Sequence, residues 1–165
     1  MVVMIPGLKK RFLTYESYAG KTIDEILSPD QLAQASVLTA YQSQTCVYLN
    51  DGKGYFTCKP FGARAQFAPI FSILATDLNG DGIPDIFMGG NFFGLKPEVG
   101  RFDATYGVSF LGNTNHEFSY IPPDESGLFI KGEIRDIKSV KSTGGNLIFV
   151  ARNNDSLEIF AKPKY

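Results

Sequence analysis

Two runs of β-forming residues, Phe71-Ser72-Ile73-Leu74-Ala75-Thr76 and Ile86-Phe87-Met88-Gly89-Gly90, are separated by Asp77-Leu78-Asn79-Gly80-Asp81-Gly82-Ile83-Pro84-Asp85. These nine residues must turn the chain, and few turns tolerate so many acids. Asp77, Asn79, Asp81 and Asp85 put oxygen-bearing side chains at loop positions 1, 3, 5 and 9. Calcium takes roughly six to eight oxygen ligands at about 2.3–2.6 Å, and alternate side chains of a tight turn can converge on it, with the carbonyl of Ile83 as a further ligand. Gly82 supplies the sharp bend and Pro84 stiffens the exit into the next strand. The three carboxylates repel one another unless a cation lies between them. A set of hard oxygen donors without His or Cys also argues against zinc or copper. The expected occupant is one Ca2+ with a structural and not a catalytic part. The plainer alternative is a polar turn with solvated carboxylates.

The loop joins strands. Position twelve, which in a helix–loop–helix calcium site is a bidentate Glu, is here Met88. From about residue 37 the chain consists of β-branched and aromatic runs broken by Gly, Asn and Asp, the texture of strands and turns. Strands are expected at 45–49, 55–58, 71–76, 86–88, 108–111, 117–121, 134–140, 147–151 and 157–161. Asn50-Asp51-Gly52-Lys53-Gly54 reads as a tight hairpin loop between the first two. If Asn50 and Gly54 pair across it, Cys46 and Cys58 fall opposite each other and a disulfide becomes possible. Otherwise they are two free thiols packed as small apolar residues.

An internal repeat organises this region. Tyr48-Leu49 matches Phe110-Leu111, Phe56-Thr57 matches Phe118-Ser119, and Ile86-Phe87-Met88 matches Ile148-Phe149-Val150, each pair 62 residues apart. A common offset in separate places indicates two β-units of about sixty residues. The same offset puts Ser139, Lys141, Thr143 and Leu147 at the four side-chain positions of the acidic loop, so the second unit is expected to bind no calcium.

Residues 1–36 read differently. Leu8, Phe12, Tyr15 and Ala19 recur at helical spacing as far as Gly20. Thr22 with Glu25, and Ser28-Pro29-Asp30-Gln31, are start signals for two further short helices. This segment is expected to be a cap or insertion ahead of a β region spanning 37–165. The apolar start Met1–Ile5 is cut short by Pro6-Gly7 and followed by Lys9, Lys10 and Arg11. It is too short for a signal core, and no stretch is long enough to span a membrane. With 165 residues, 44% hydrophobic and 13% aromatic, the chain can bury a core without staples. A net charge of -1 gives no electrostatic footprint for nucleic acid or an anionic membrane.

The loop 77–85, entered from Gln66-Phe67-Ala68-Pro69-Ile70 and left through Ile86-Phe87-Met88-Gly89-Gly90-Asn91, resembles the FG-GAP or VCBS-type repeat. Residues 90–107, with Gly90-Asn91-Phe92-Phe93, Lys96-Pro97-Glu98, Gly100-Arg101-Phe102-Asp103-Ala104 and Tyr106-Gly107, look similar to the C-terminal part of bacterial ASPIC/UnbV-type proteins, as the helices from Lys9 to Leu27 look similar to their helical insertion. The resemblance implies a calcium-braced β-propeller blade in an extracellular, periplasmic or cell-surface protein, with Asp77, Asn79, Asp81, Ile83 and Asp85 as metal ligands. The fold expected is thus all-β, about two propeller-like units of an incomplete propeller behind a small helical segment. Propellers need about four to eight blades, so two units must be completed by the rest of a longer chain or by self-association.

Other chemistry is weakly signalled. His116 is the only histidine and falls in a hairpin loop, where a solvated residue is the simpler reading. Glu98 with Asp103, and Asp124 with Glu125, are carboxylate pairs that nothing in the spacing selects. Arg101 is expected to pair with Asp103. The aromatics Phe92, Phe93, Phe102 and Tyr106 mark a long connection that is either core or a binding loop. The function expected is a non-catalytic binding or adhesion module for a protein or carbohydrate ligand. The alternative is an accessory portion of an exported, carbohydrate-active enzyme.

Overall fold

The computed structural model describes residues 5–161; the start of the apolar run Met1–Ile5 therefore lies outside the described residues. The chain divides into Met1–Gln42 and Ser43–Tyr165. The first unit contains four single helical turns, α1 (Leu8–Arg11), α2 (Tyr15–Tyr18), α3 (Ile23–Ile26) and α4 (Pro29–Ala33). The expected helix from Leu8 to Ala19 is broken, because Phe12 is extended and the Thr14 side chain accepts from the Ser17 amide to start a new turn. The two later starts form as their residues dictate. Glu25 accepts from the Thr22 amide at 2.9 Å, and Ser28 and Gln31 cap each other reciprocally with Pro29 in the first turn. The Thr22 amide, with Lys21 beside it, holds the Glu25 carboxyl down at about 2. Leu8 and Ile26 are buried, and Arg11 donates to the carbonyls of Glu25 and Ile26.

The second unit is all-β in character, with three antiparallel sheets and only short helices. Strands β1 (Cys46–Asn50) and β2 (Phe56–Pro60) form a hairpin. β3 (Ile70–Thr76), β4 (Asp85–Gly90), β5 (Val108–Gly112) and β6 (Phe118–Ile121) form a four-stranded meander. β7 (Ile134–Ser142), β8 (Gly145–Arg152) and β9 (Glu158–Ala161) form a three-stranded one. Among the described residues the three sheets do not close on one another. A one-turn helix, α5 (Pro123–Ser126), follows β6 and ends on Gly127 at φ 69°.

The registers run in parallel. In the first hairpin Asn50 pairs with Phe56 and Tyr48 with Cys58; 62 residues later Gly112 pairs with Phe118 and Phe110 with Tyr120. Gly90 faces Ile70 and Gly89 faces Ser72, leaving Phe71 as a bulge, while Arg152 faces Ile134 and Ala151 faces Asp136, leaving Arg135 as a bulge. The β1–β2 register corrects one expectation. Asn50 pairs with Phe56 and not with Gly54, since Asp51 at the start of the turn takes the amides of Lys53 and Tyr55 into a wider five-residue loop. Cys46 therefore faces Pro60, Cys58 faces Tyr48, and both thiols are free.

The core lies on both faces of the four-stranded sheet, because alternate residues of a strand point to opposite sides. Met88, Val108 and Phe110 pack with Ala65, against Phe61 and Phe118. Phe87 turns the other way, into a cluster with Leu78, Ile130, Ile134, Ile137, Ile148 and Val150 that joins the second sheet to the third. Close approach is built into β4. A Cβ on Gly89 would stand 2.5 Å from the Ile134 side chain.

Candidate metal centre

Residues 77–84 form the turn between β3 and β4, with Thr76 paired to Asp85 across its base. The sequence alternates side-chain acceptors with small residues, and the backbone amides fold onto them. Asp77 accepts from Gly80 at 2.5 Å and from Gly82 at 3.2 Å; Asn79 accepts from Asp81 at 3.0 Å; Asp81 accepts from Ile83 at 2.7 Å. The Asn79 side-chain amide donates to Asp81 at 2.9 Å, so these two lie side by side. Gly80 and Gly82 have φ of 97° and 83°, a region where residues with a Cβ are strained.

Asp85 plays a different part. It is fully buried, and each carboxylate oxygen is taken by backbone: Oδ2 accepts from Leu78 at 2.6 Å and Asn79 at 3.3 Å, Oδ1 from Gly112 at 2.9 Å. A buried carboxylate is tolerable when donors surround it in this way. The approach of β5 depends on Gly112, since a Cβ there would lie 2.4 Å from the Pro84 carbonyl oxygen. Asp85 thus ties the loop to β5 from beneath, while Asp77, Asn79 and Asp81 lie on the less buried part of the loop. Among the described residues, no group of three or more His, Cys, Asp or Glu side chains stands close enough together to hold a metal ion.

The donor chemistry nevertheless suits a hard cation. All five residues, Asp77, Asn79, Asp81, Asp85 and the Ile83 carbonyl, offer oxygen. A carboxylate has about four lone-pair sites, and on Asp85 backbone amides take three of them. Bringing Asp77 and Asp81 onto a common ion would set the cation in competition with the turn amides of Gly80, Gly82 and Ile83 that these carboxylates now accept from. Comparison with protein-family models, curated proteins and solved structures found no match.

The corresponding positions 62 residues on fall elsewhere. Ser139 and Lys141 lie along β7, Leu147 along β8, and Thr143 at the tip, because these strands zip up to Ser142 and Gly145 around a two-residue turn. His116, with φ 57°, is exposed in the β5–β6 turn. Arg101 and Asp103 form the expected ion pair, at 3.7 Å.

A polar cluster that sequence reasoning missed lies behind the connection 91–107. Glu133 is buried, forms an ion pair with Arg135 at 2.6 Å, and accepts from the Asn153 side chain and the Phe93 amide, both at 2.7 Å. Asn91, buried at φ 75°, donates to the carbonyls of Thr105 and Gly132 and accepts from the Thr105 amide. The Asn153 side chain first, then the Phe93 amide, hold the Glu133 carboxyl below its usual range despite burial. The signal in the sequence is the repeat itself, since Asn91 and Asn153 stand at the same 62-residue offset as the matched strands.

Proposed function

We propose that this chain is a calcium-stabilised, non-catalytic binding or adhesion module belonging to a larger exported repeat protein, its sheets being successive blades of a propeller. The observation that carries the reading is the loop 77–85: five oxygen donors within nine residues, on a glycine-rich turn anchored by the buried Asp85. Cation binding here would brace the turn from above as Asp85 does from below. The parallel registers of β1–β2 and β5–β6, and the bulges at Phe71 and Arg135, support successive copies of one β-unit. The ligand expected is a protein or carbohydrate. No helix among the described residues is long and apolar enough to cross a membrane.

An ion that binds the folded loop and not the unfolded chain stabilises by RT ln(1 + [L]/Kd), about 2.7 kcal/mol at a hundredfold excess over Kd. Thermal melts in calcium and in chelator should differ accordingly. Asp81→Ala, at an exposed position, should abolish the difference, and Thr143→Ala should leave it intact. Equal melting temperatures for the unmutated protein would refute calcium binding.

A further inference from the structure

The connection 91–107 ends beside a small cavity of about 160 Å³ whose walls carry Arg64, Phe67, Tyr106 and Tyr120. Three separate parts of the second unit meet there: the 3-10 helix Ala63–Gln66 and the residue after it, the end of the long connection, and β6. Gly107, at φ 88° and packed on Phe87, makes the turn that presents Tyr106 at the mouth. Tyr106 stacks on Phe129 with ring centroids 4.3 Å apart, and its carbonyl accepts from the Ile130 amide, so the ring is held in place.

Three rings of the wall, Phe67, Tyr106 and Tyr120, are 37–50% exposed. Large apolar surface gathered in one concave place is unusual on a chain that has cores to fill, and it marks interaction sites. Arg64 gives the site its charge. Its guanidinium lies 5.8 Å from the Phe67 ring centroid and 5.6 Å from that of Tyr120. The four other arginines each have an oxygen partner on the protein: Arg11 the carbonyl of Ile26, Arg101 the carboxylate of Asp103, Arg135 that of Glu133 and Arg152 that of Asp155. Among the described residues Arg64 has only rings, and the Tyr106 and Tyr120 hydroxyls have no hydrogen bond to the protein.

We propose that this cavity binds a carboxylate-bearing pyranose, such as the terminal residue of an acidic glycan. The inference rests on the binding-module reading and names its ligand class. Among the described residues Arg64 is the only charged one in the wall, and its planar fork is matched to a carboxylate. The aromatic faces offer a platform for the C–H face of a sugar ring, and the two phenols offer partners for its hydroxyls. The volume is small beside the roughly 300–1,000 Å³ of a drug-sized pocket, which suits one ring at a chain end. A proline-rich peptide would use the rings but leave the guanidinium without a partner.

The test is an amide-resolved NMR titration of the whole chain at fixed calcium, with methyl glucuronide against methyl glucoside. The glucuronide should shift amides of residues 64–67, 105–107 and 120. The glucoside should bind about tenfold more weakly, and Arg64→Gln should cost the glucuronide about the same, the loss of one charge-assisted hydrogen bond. Tyr120→Phe, which keeps the ring, should weaken both sugars. Equal affinity for the two sugars, no effect of Arg64→Gln, shifts confined to other residues, or no shift up to about 50 mM, below any useful affinity, would each overturn the proposal, as would a proline-rich peptide binding the same amides more tightly. The two-sugar comparison needs no variant and decides the matter if Arg64→Gln misfolds. Its failure would leave calcium stabilisation of the loop standing, since the melts read a different site.

Discussion

Asp85 and Glu133 are the two carboxylates buried among the described residues, and each is surrounded by donors from segments far apart in the chain. Asp85 joins the acidic loop to β5; Glu133 joins the residue after Phe92 to the sheet that follows. For Glu133 the pH dependence follows from the direction of its shift. Its folded pKa is lowered by the Asn153 and Phe93 hydrogen bonds below an unfolded value of about 4.3. Its stabilisation is therefore fully present above that value and is lost as pH falls through the folded one. Glu133→Gln should cost about 2 kcal/mol at pH 7, a buried-pair loss reduced because Arg135 remains partly exposed. It should also flatten the fall in stability below about pH 5. Urea unfolding at a series of pH values measures both, and a variant with the same slope as the unmutated protein would contradict the assignment. Neither burial was legible beforehand. Asp85 read as one more calcium ligand because spacing shows which oxygens are near and not which amides already occupy them. Glu133 lies outside any recognisable motif.

At the scale of elements, β4 shows how much sheet packing depends on the absence of side chains. A Cβ at Gly90 would lie 1.7 Å from the Pro69 carbonyl oxygen, which also accepts the Asn91 amide at 3.2 Å. Only a backbone shift at the head of β3 could relieve this. Gly90→Ala should destabilise by about 3 kcal/mol, the upper range for overpacking, whereas Gly144→Ala at the β7–β8 tip, with open space around it, should stay within about 0.5 kcal/mol. Chemical denaturation of both variants checks the contrast. The strands themselves were readable, because β-branched and aromatic runs between Gly, Asn and Asp clusters leave little choice of element. The β1–β2 register was not. It turned on whether Asn50-Asp51-Gly52-Lys53-Gly54 closes tightly, and the Asp51 side chain competes for the turn amides. The helical region failed for a related reason: helical spacing from Leu8 to Ala19 says nothing of the hydroxyl of Thr14, which starts a new turn.

For the whole molecule, the unequal sheets matter most. The four-stranded sheet places β6 on the outer side of β5. β9 pairs with β8 as β5 does with β4, Phe160 opposite Ile148 and Phe110 opposite Ile86, yet among the described residues it has no further neighbour. Such an edge invites another strand, and Leu157 and Ile159 beside it are more than half exposed. The isolated chain is therefore expected to self-associate at micromolar concentration. Ile159→Lys, which places a charge on the edge, should shift it toward monomer. Sedimentation equilibrium is the measurement, and a strictly monomeric unmutated chain would count against the expectation.

The paired bulges carry a different kind of consequence. Phe71 and Arg135 occupy the same irregular position in adjoining sheets, and the guanidinium of one lies 4.3 Å from the ring centroid of the other. Neither residue can be altered without changing the surroundings of its counterpart. Descendants of this chain that lose the ring at 71 should tend to lose the arginine at 135 as well, so the two positions would be inherited as a couple, and a hybrid assembled from the halves of two divergent relatives would be weakest at this contact.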